Sequence, residues 1–155
     1  MIALATHNGV LVSSDNGKTW QESSGLSRYV SFIRSVTVTP DKAILVASRE
    51  GAFRSPNAGE GWEHMENGLP DKNISSITYD RNGNRLLATS TETGVVFESA
   101  DGGQSWHRGP DTGYPLRRIS VVHGRFFAAT PFDGVVEQPE NADQSAAVSV
   151  GSTTN

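Results

Sequence analysis

The stretch SSDNGKTW, Ser13–Trp20, decides how the chain is read. It sets a hydroxyl, a carboxylate, a glycine and a tryptophan within eight residues, which suits a catalytic loop or a tight turn equally well. Two further stretches repeat it: SPNAGEGW at Ser55–Trp62 and SADGGQSW at Ser99–Trp106, with first serines 42 and then 44 residues apart. A period near forty is the mark of a repeat architecture, so each residue has to be read as a position within a unit.

The flanks repeat with the octets. Before each octet stands a short run opened by glycine: GVLVS from Gly9, GAFRS from Gly51, GVVFES from Gly94, and a fourth, GVVEQP, from Gly134. Before those lie IALAT, ILVAS, LLATS and FFAAT, and earlier still IRSVTVTP, ISSITYD and LRRISVVHG. The last set aligns Ile33, Ile74 and Leu116, then Val36, Ile77 and Ile119. Turn signals such as Pro40-Asp41, Asn82-Gly83 and His123-Gly124 separate the runs. A fourth strand is expected to begin at each tryptophan and to end near Gly25-Leu26, Gly68-Leu69 and Gly113. Four antiparallel strands, A to D, in a unit of this length predict a β-propeller blade, and no segment carries a helical period.

The expected fold is therefore all-β, an incomplete propeller of about three and a half four-stranded blades, with repeats near 1–29, 30–72, 73–115 and 116–140. In this alignment Met1–Thr6 matches Ala43–Ser48, so the chain starts at a strand B and reads as a cut arc. Blades from upstream sequence, or association with a second copy, are expected to close it. The fourth octet has decayed to PENADQSA, Pro139–Ala146, and 141–155 reads as a disordered tail.

Composition narrows the function. The chain has 155 residues, a size that suits one domain, and its 35% hydrophobic residues contain no run long enough to span a membrane. A net charge of −4 argues against nucleic acid, which asks for a clustered basic face. Without cysteine there is neither a disulfide nor a thiolate metal site, which leaves the compartment open. The start lacks the charged and apolar regions of a signal peptide. His7, His64, His107 and His123 have no ligand spacing, so no metal and no cofactor are expected.

Within the octets, Ser13, Ser55 and Ser99 open the turn, and Asp15, Asn57 and Asp101 accept hydrogen bonds from its amides. Gly17, Gly59 and Gly103 supply the conformations other residues resist, and Trp20, Trp62 and Trp106 pack against a neighbouring sheet. Asn57 keeps the acceptor and loses the charge, a swap that a turn tolerates and a catalytic carboxylate does not. Thr19, Gly61 and Ser105, just before the tryptophans, vary as a turn flank does.

The octets resemble the Asp-box of the BNR repeat family, found in sialidases, xyloglucan-cleaving hydrolases, sortilin-type receptors and photosystem II assembly factors. The resemblance implies that each octet is the turn between strands C and D, at the periphery and away from the ligand face. The ligand face would then lie on the D-to-A and B-to-C loops. The first set supplies Arg28, Tyr29, Arg34, Asp71, Lys72, Tyr114, Arg117 and Arg118; the second supplies His7, Asn8, Arg49, Glu50, Glu92 and Asp133. Such arginines and tyrosines suit an anionic or sugar ligand, while single surface charges are more often simply solvated. A sialidase-like site needs three arginines, a tyrosine nucleophile with its glutamate, and an acid/base aspartate. Arg34, Arg117, Tyr29, Tyr114 and Asp133 match by residue type only, and the family's arginine motif near the start of the fold is missing. The expected function is a non-catalytic scaffold for protein or glycan. The alternative is a segment of a sialidase- or xyloglucanase-like glycoside hydrolase whose catalytic residues lie mostly elsewhere.

Overall fold

The computed structural model describes residues 1–7, 9–26, 30, 32–70, 72–132, 134–138 and 149–151. Among them there is no helix, and so none that is long and apolar enough to cross a membrane. Four antiparallel sheets follow one another along the chain. The first has β1 (Ile2–Thr6), β2 (Gly9–Ser13) and β3 (Gln21–Glu22). The second has β4 (Ser35–Val38), β5 (Ile44–Ser48), β6 (Gly51–Ser55) and β7 (Glu63–His64). The third has β8 (Ile74–Asp80), β9 (Arg85–Ser90), β10 (Val95–Ser99) and β11 (His107–Asp111). The fourth has β12 (Arg118–Val122), β13 (Arg125–Ala129), β14 (Val135–Glu137) and β15 (Ser149–Gly151). Each is a simple meander, strand beside next strand, as expected for propeller blades.

Register explains the repeat length. Ile44 pairs with Ser55 and Leu86 with Ser99, so these positions are equivalent. The β5–β6 hairpin turns in two residues, whereas Thr91–Gly94 fill the β9–β10 turn with four. The step from 42 to 44 is this two-residue insertion.

The tail reading changes at one place. Ser149–Gly151, which sequence patterning places in a disordered tail, pair with β14 and supply the fourth strand of the last sheet. Sequence patterning missed the strand because the decayed octet removed the landmark that announces strand D elsewhere. That octet itself, 139–146, lies outside the described residues.

Strand alternation sends every second side chain to the preceding blade and the others to the following one. Ile44 and Val46 join Val10 and lie against Met1, Ala3 and Val12 at the first seam. Leu45, Ala47, Ala52 and Met65 meet Leu86, Ala88, Phe97 and Trp106 at the second. Leu87 and Val96 meet Leu116, Ile119, Phe126 and Ala128 at the third. Strand β5 is consequently buried along its whole length, while β1, with a neighbour on one face, alternates. Among the described residues the core is three seams between sheets, with no single central core uniting them.

Candidate functional site

The octets come first, with the hydrogen bonds that each makes. In the first, the Ser13 hydroxyl donates to Asp15 Oδ1 (2.8 Å) and accepts from the Gly17 N–H (2.8 Å). Asp15 also accepts from the Thr19 N–H (2.9 Å) and the Thr19 hydroxyl (2.7 Å). The third repeats this set: Ser99 to Asp101, Gly103 N–H to Ser99, and both the N–H and the hydroxyl of Ser105 to Asp101. Asn16, Ala58 and Gly102 take left-handed backbone (φ 62°, 58° and 73°), each followed by the box glycine at φ 87°, 99° and 94°. All three octets therefore form one turn, between β2 and β3, β6 and β7, and β10 and β11.

Both carboxylates titrate accordingly. The Thr19 N–H, then the Thr19 and Ser13 hydroxyls, hold Asp15 down from 3.8 to about 2. Burial pushes Asp101 up, but the hydroxyl and N–H of Ser105, with Ser99 and Gln104, outweigh it and bring the group to about 2. Such acids stay ionised and fully engaged, a poor state for proton transfer near neutrality.

Two readings of the octet need correction. Residues 19, 61 and 105 do not vary freely: a hydroxyl stands where the box has an aspartate to receive it, and glycine stands where the box has Asn57. The second box is correspondingly loose, with Ser55 to Asn57 (2.9 Å) and Gly59 N–H to Ser55 (2.8 Å) kept. Trp20 and Trp106 donate their indole N–H to the box glycine carbonyl (3.2 Å each), whereas the buried Trp62 Nε1 has no partner among the described residues. Nor do all tryptophans pack alike: Trp106 is buried at the second seam, while Trp20 is exposed because no sheet among the described residues covers the outer face of the first blade.

The box also reaches the preceding blade. Ser24 N–H donates to Gly59 O, and Trp106 N–H donates to Asn67 O (2.9 Å each). A Cβ on Gly59 would lie 2.9 Å from Ser23 Cβ, and one on Gly103 would lie 3.0 Å from Met65 Sδ. Gly68 is tighter still, its Cβ position 1.8 Å from Trp106 O. The cleft beside the third box, ≈ 280 Å³, is lined by groups already engaged: Arg54 on Gly102 O (2.9 Å), and Arg85 on Asp80 and Glu98.

The loops at the other end hold a different set. Arg34, Ser75 and Arg117 occupy one equivalent position, just after Ile33, Ile74 and Leu116. The N–H groups of Arg34 and Arg117 donate to Ala47 O and Ala129 O (2.8 Å each) as strand A begins. Around buried Ser75 the chain thus places Arg34 on one side and Arg117 with Arg118 on the other, lining with Thr91 a cleft of ≈ 380 Å³. Ser75 is itself tied down, donating to Leu116 O (2.7 Å) and bonded to the Thr89 hydroxyl (2.9 Å). Arg34 also borders a neighbouring cleft of ≈ 550 Å³ with Phe32, Ile33, Arg49 and Asn73. None of Arg34, Arg49, Arg117 and Arg118 has an ion pair among the described residues, and neither lining contains a carboxylate. Guanidinium groups so placed can grip a carboxylate, sulfate or phosphate with paired hydrogen bonds.

Of the other candidates, Tyr114 is exposed but borders neither cleft. Arg28, Tyr29, Asp71 and Asp133 lie outside the described residues. Two contributors escaped sequence reading. Asn73, at φ 58°, donates its N–H to Arg49 O (2.8 Å) and accepts from the Thr91 N–H (3.0 Å), joining two B-to-C hairpins under the clefts. Its side chain also holds Glu92 (2.5 Å). The one available signal was an asparagine directly before a strand, where left-handed backbone is tolerated. Phe32, strongly exposed at the rim with φ 52°, gave no signal.

Comparison with known proteins agrees with this geometry. The BNR/Asp-box repeat model matches residues 11–22. Curated protein sequences give no match. Among solved structures, the extracellular domain of a putative hybrid two-component system from B. thetaiotaomicron is similar at TM-score 0.72 and 14% identity, over 96% of this chain and 20% of that one. The GH74 xyloglucanase from Xanthomonas campestris is similar at 0.65 and 23%, over 94% and 22%. YCF48 bound to D1 peptide is similar at 0.69 and 14%, over 95% and 50%. The chain thus spans between a fifth and half of the length of these proteins. It carries an Asp-box (BNR) repeat match at residues 11–22 and has the fold of an open arc of a β-propeller.

Proposed function

We propose that this propeller segment is a non-catalytic interaction scaffold that takes an anionic group of a protein or glycan between Arg34 and the Arg117–Arg118 pair. The observation that carries the reading is that Arg34, Arg117 and Arg118, none with an ion pair among the described residues, line one cleft in a chain of net charge −4. Their local field is a property of the site and not of the overall composition. Binding of a D1 peptide by YCF48, which shares the fold, is in keeping with a peptide ligand. Calorimetric titration with an acidic peptide and with an acidic oligosaccharide tests it. One of the two should bind with an affinity that falls with salt and drops at least about tenfold in Arg34→Ala/Arg117→Ala. Absence of binding by both, or equal binding by the variant, refutes it.

A second reading, part of a glycoside hydrolase, draws on the 23% identity to GH74 enzymes. Hydrolysis of a glycosidic bond needs two carboxyl groups set across it, and no carboxylate lines either cleft among the described residues. Turnover of xyloglucan by the 155-residue chain would favour this reading over the first.

A further inference from the structure

We propose that Asn67–Gly68, at the joint between the second and third blades, is a site of spontaneous backbone rearrangement that converts Asn67 to aspartate and isoaspartate and loosens that joint. The chain has four Asn-Gly pairs, and Asn8 of the first lies outside the described residues. In such a pair the backbone nitrogen of the glycine, once it has given up its proton, attacks the asparagine Cγ. A new C–N bond closes a five-membered succinimide, and the side-chain nitrogen leaves as ammonia. Water then adds to either ring carbonyl and breaks its bond to the ring nitrogen, which recovers a proton. Opening on one side leaves aspartate, and on the other isoaspartate. Glycine favours the attack because it has no side chain to crowd it.

A hydrogen bond on the attacking N–H has to break before the reaction can start, and this separates the pairs. Gly17 N–H donates to Ser13 Oγ (2.8 Å), with Asn16 held at φ 62°. Gly83 N–H donates to Asp80 Oδ1 (3.2 Å), a carboxylate that also opposes loss of the proton. Gly68 N–H has no hydrogen-bond partner among the described residues, and Asn67 is exposed to water. Packing explains why the labile pair stands here. A Cβ at position 68 would lie 1.8 Å from Trp106 O, so the joint requires glycine. The first blade meets the same requirement with Ser24–Gly25, and Ser24 Oγ reaches Glu60 O (3.4 Å) as Asn67 Nδ2 reaches Gln104 O (3.5 Å). Serine cannot close the ring. In isoaspartate the main chain runs through the former side chain and is longer by one carbon. The Asn67 carbonyl, which accepts from the Trp106 N–H (2.9 Å), becomes a free carboxylate beside the chain, and Gly68 loses its seat against Trp106.

Ageing of the intact folded chain at mildly alkaline pH tests this, each Asn-Gly peptide being followed by mass spectrometry with fragmentation that separates isoaspartate from aspartate. Conversion at Asn67 should outpace that at Asn16 and Asn82 by about tenfold or more, and should slow as the pH is lowered. In urea the three pairs should react at similar rates. The aged wild type should melt below the fresh protein, and Asn67→Ser, which carries the residue the first blade uses at this place, should lose far less with age. Equal rates at the three pairs in the folded chain overturn the proposal. So does a preference for Asn67 that persists undiminished in urea, since it would then belong to the neighbouring residues and not to the fold. Conversion at Asn67 with an unchanged melting temperature, or an equal loss in Asn67→Ser, overturns the loosening of the joint.

Discussion

Truncating the box tryptophans one at a time measures what each seam contributes. Trp106 is 5% exposed and packs with Leu45, Met65 and Leu86 across the second seam. Replacing it with alanine removes the ring, leaves a cavity between two sheets and frees the Gly103 carbonyl from its indole N–H, for about 4 kcal/mol in all. For a chain of this size that lowers the melting temperature by roughly 8–16 °C. Trp20 has the same neighbours within its own turn but no sheet over it. About three fifths of it is shielded and no closed cavity would form, so Trp20→Ala costs about 1–2 kcal/mol. Urea unfolding followed by circular dichroism reports both. Equal losses for Trp20→Ala and Trp106→Ala would refute the idea that the box tryptophan acts through the neighbouring blade.

Other expectations concern the turn itself. Asp15 and Asp101 are held near 2 when folded against 3.8 ordinarily, so their contribution is complete above about pH 4 and is lost as the pH falls toward 2. Asp15→Asn/Asp101→Asn should flatten the melting temperature over that window, and an unchanged profile would count against the hydrogen-bond sets. Conversely, Asn57→Asp with Gly61→Ser rebuilds in the second box the set seen in the first and third; added together they should stabilise by about 1 kcal/mol, and separately by less. There is room, since a Cβ on Gly61 meets only Asn57, at 3.6 Å. Gly68→Ala drives its Cβ into Trp106 O at positive φ and should lose about 3 kcal/mol or more. Gly102→Ala, with open space around it and Ala58 already tolerated at the equivalent place, should lose no more than about 1 kcal/mol.

Strands, blades and the turn between C and D followed from spacing, because a two-residue side-chain period and a fixed octet are local signals. The role of the octet as a joint between blades did not follow. Contacts such as Gly68 against Trp106 O join residues of different repeats and leave no trace in either one. The pairing of Thr19 and Ser105 with aspartate, and of Gly61 with Asn57, was present in the three copies and is visible once the hydrogen bonds are known. At the loop end, residue type picked out Arg34, Arg117 and Arg118. That they line one cleft needed the fold, because Arg34 and Arg117 stand two repeats apart with Ser75 between them.

Construction at the box and the binding proposed for the opposite loops are separate, and one titration series tests the division. The affinity of the acidic peptide or oligosaccharide is measured for the wild type, Asp101→Asn and Arg34→Ala/Arg117→Ala at a temperature where all three are folded. Unchanged affinity for Asp101→Asn, with a loss of about tenfold or more for the arginine variant, is the predicted result. Weakened binding for Asp101→Asn with none for the arginine variant would contradict it and return the octet to the place of a site.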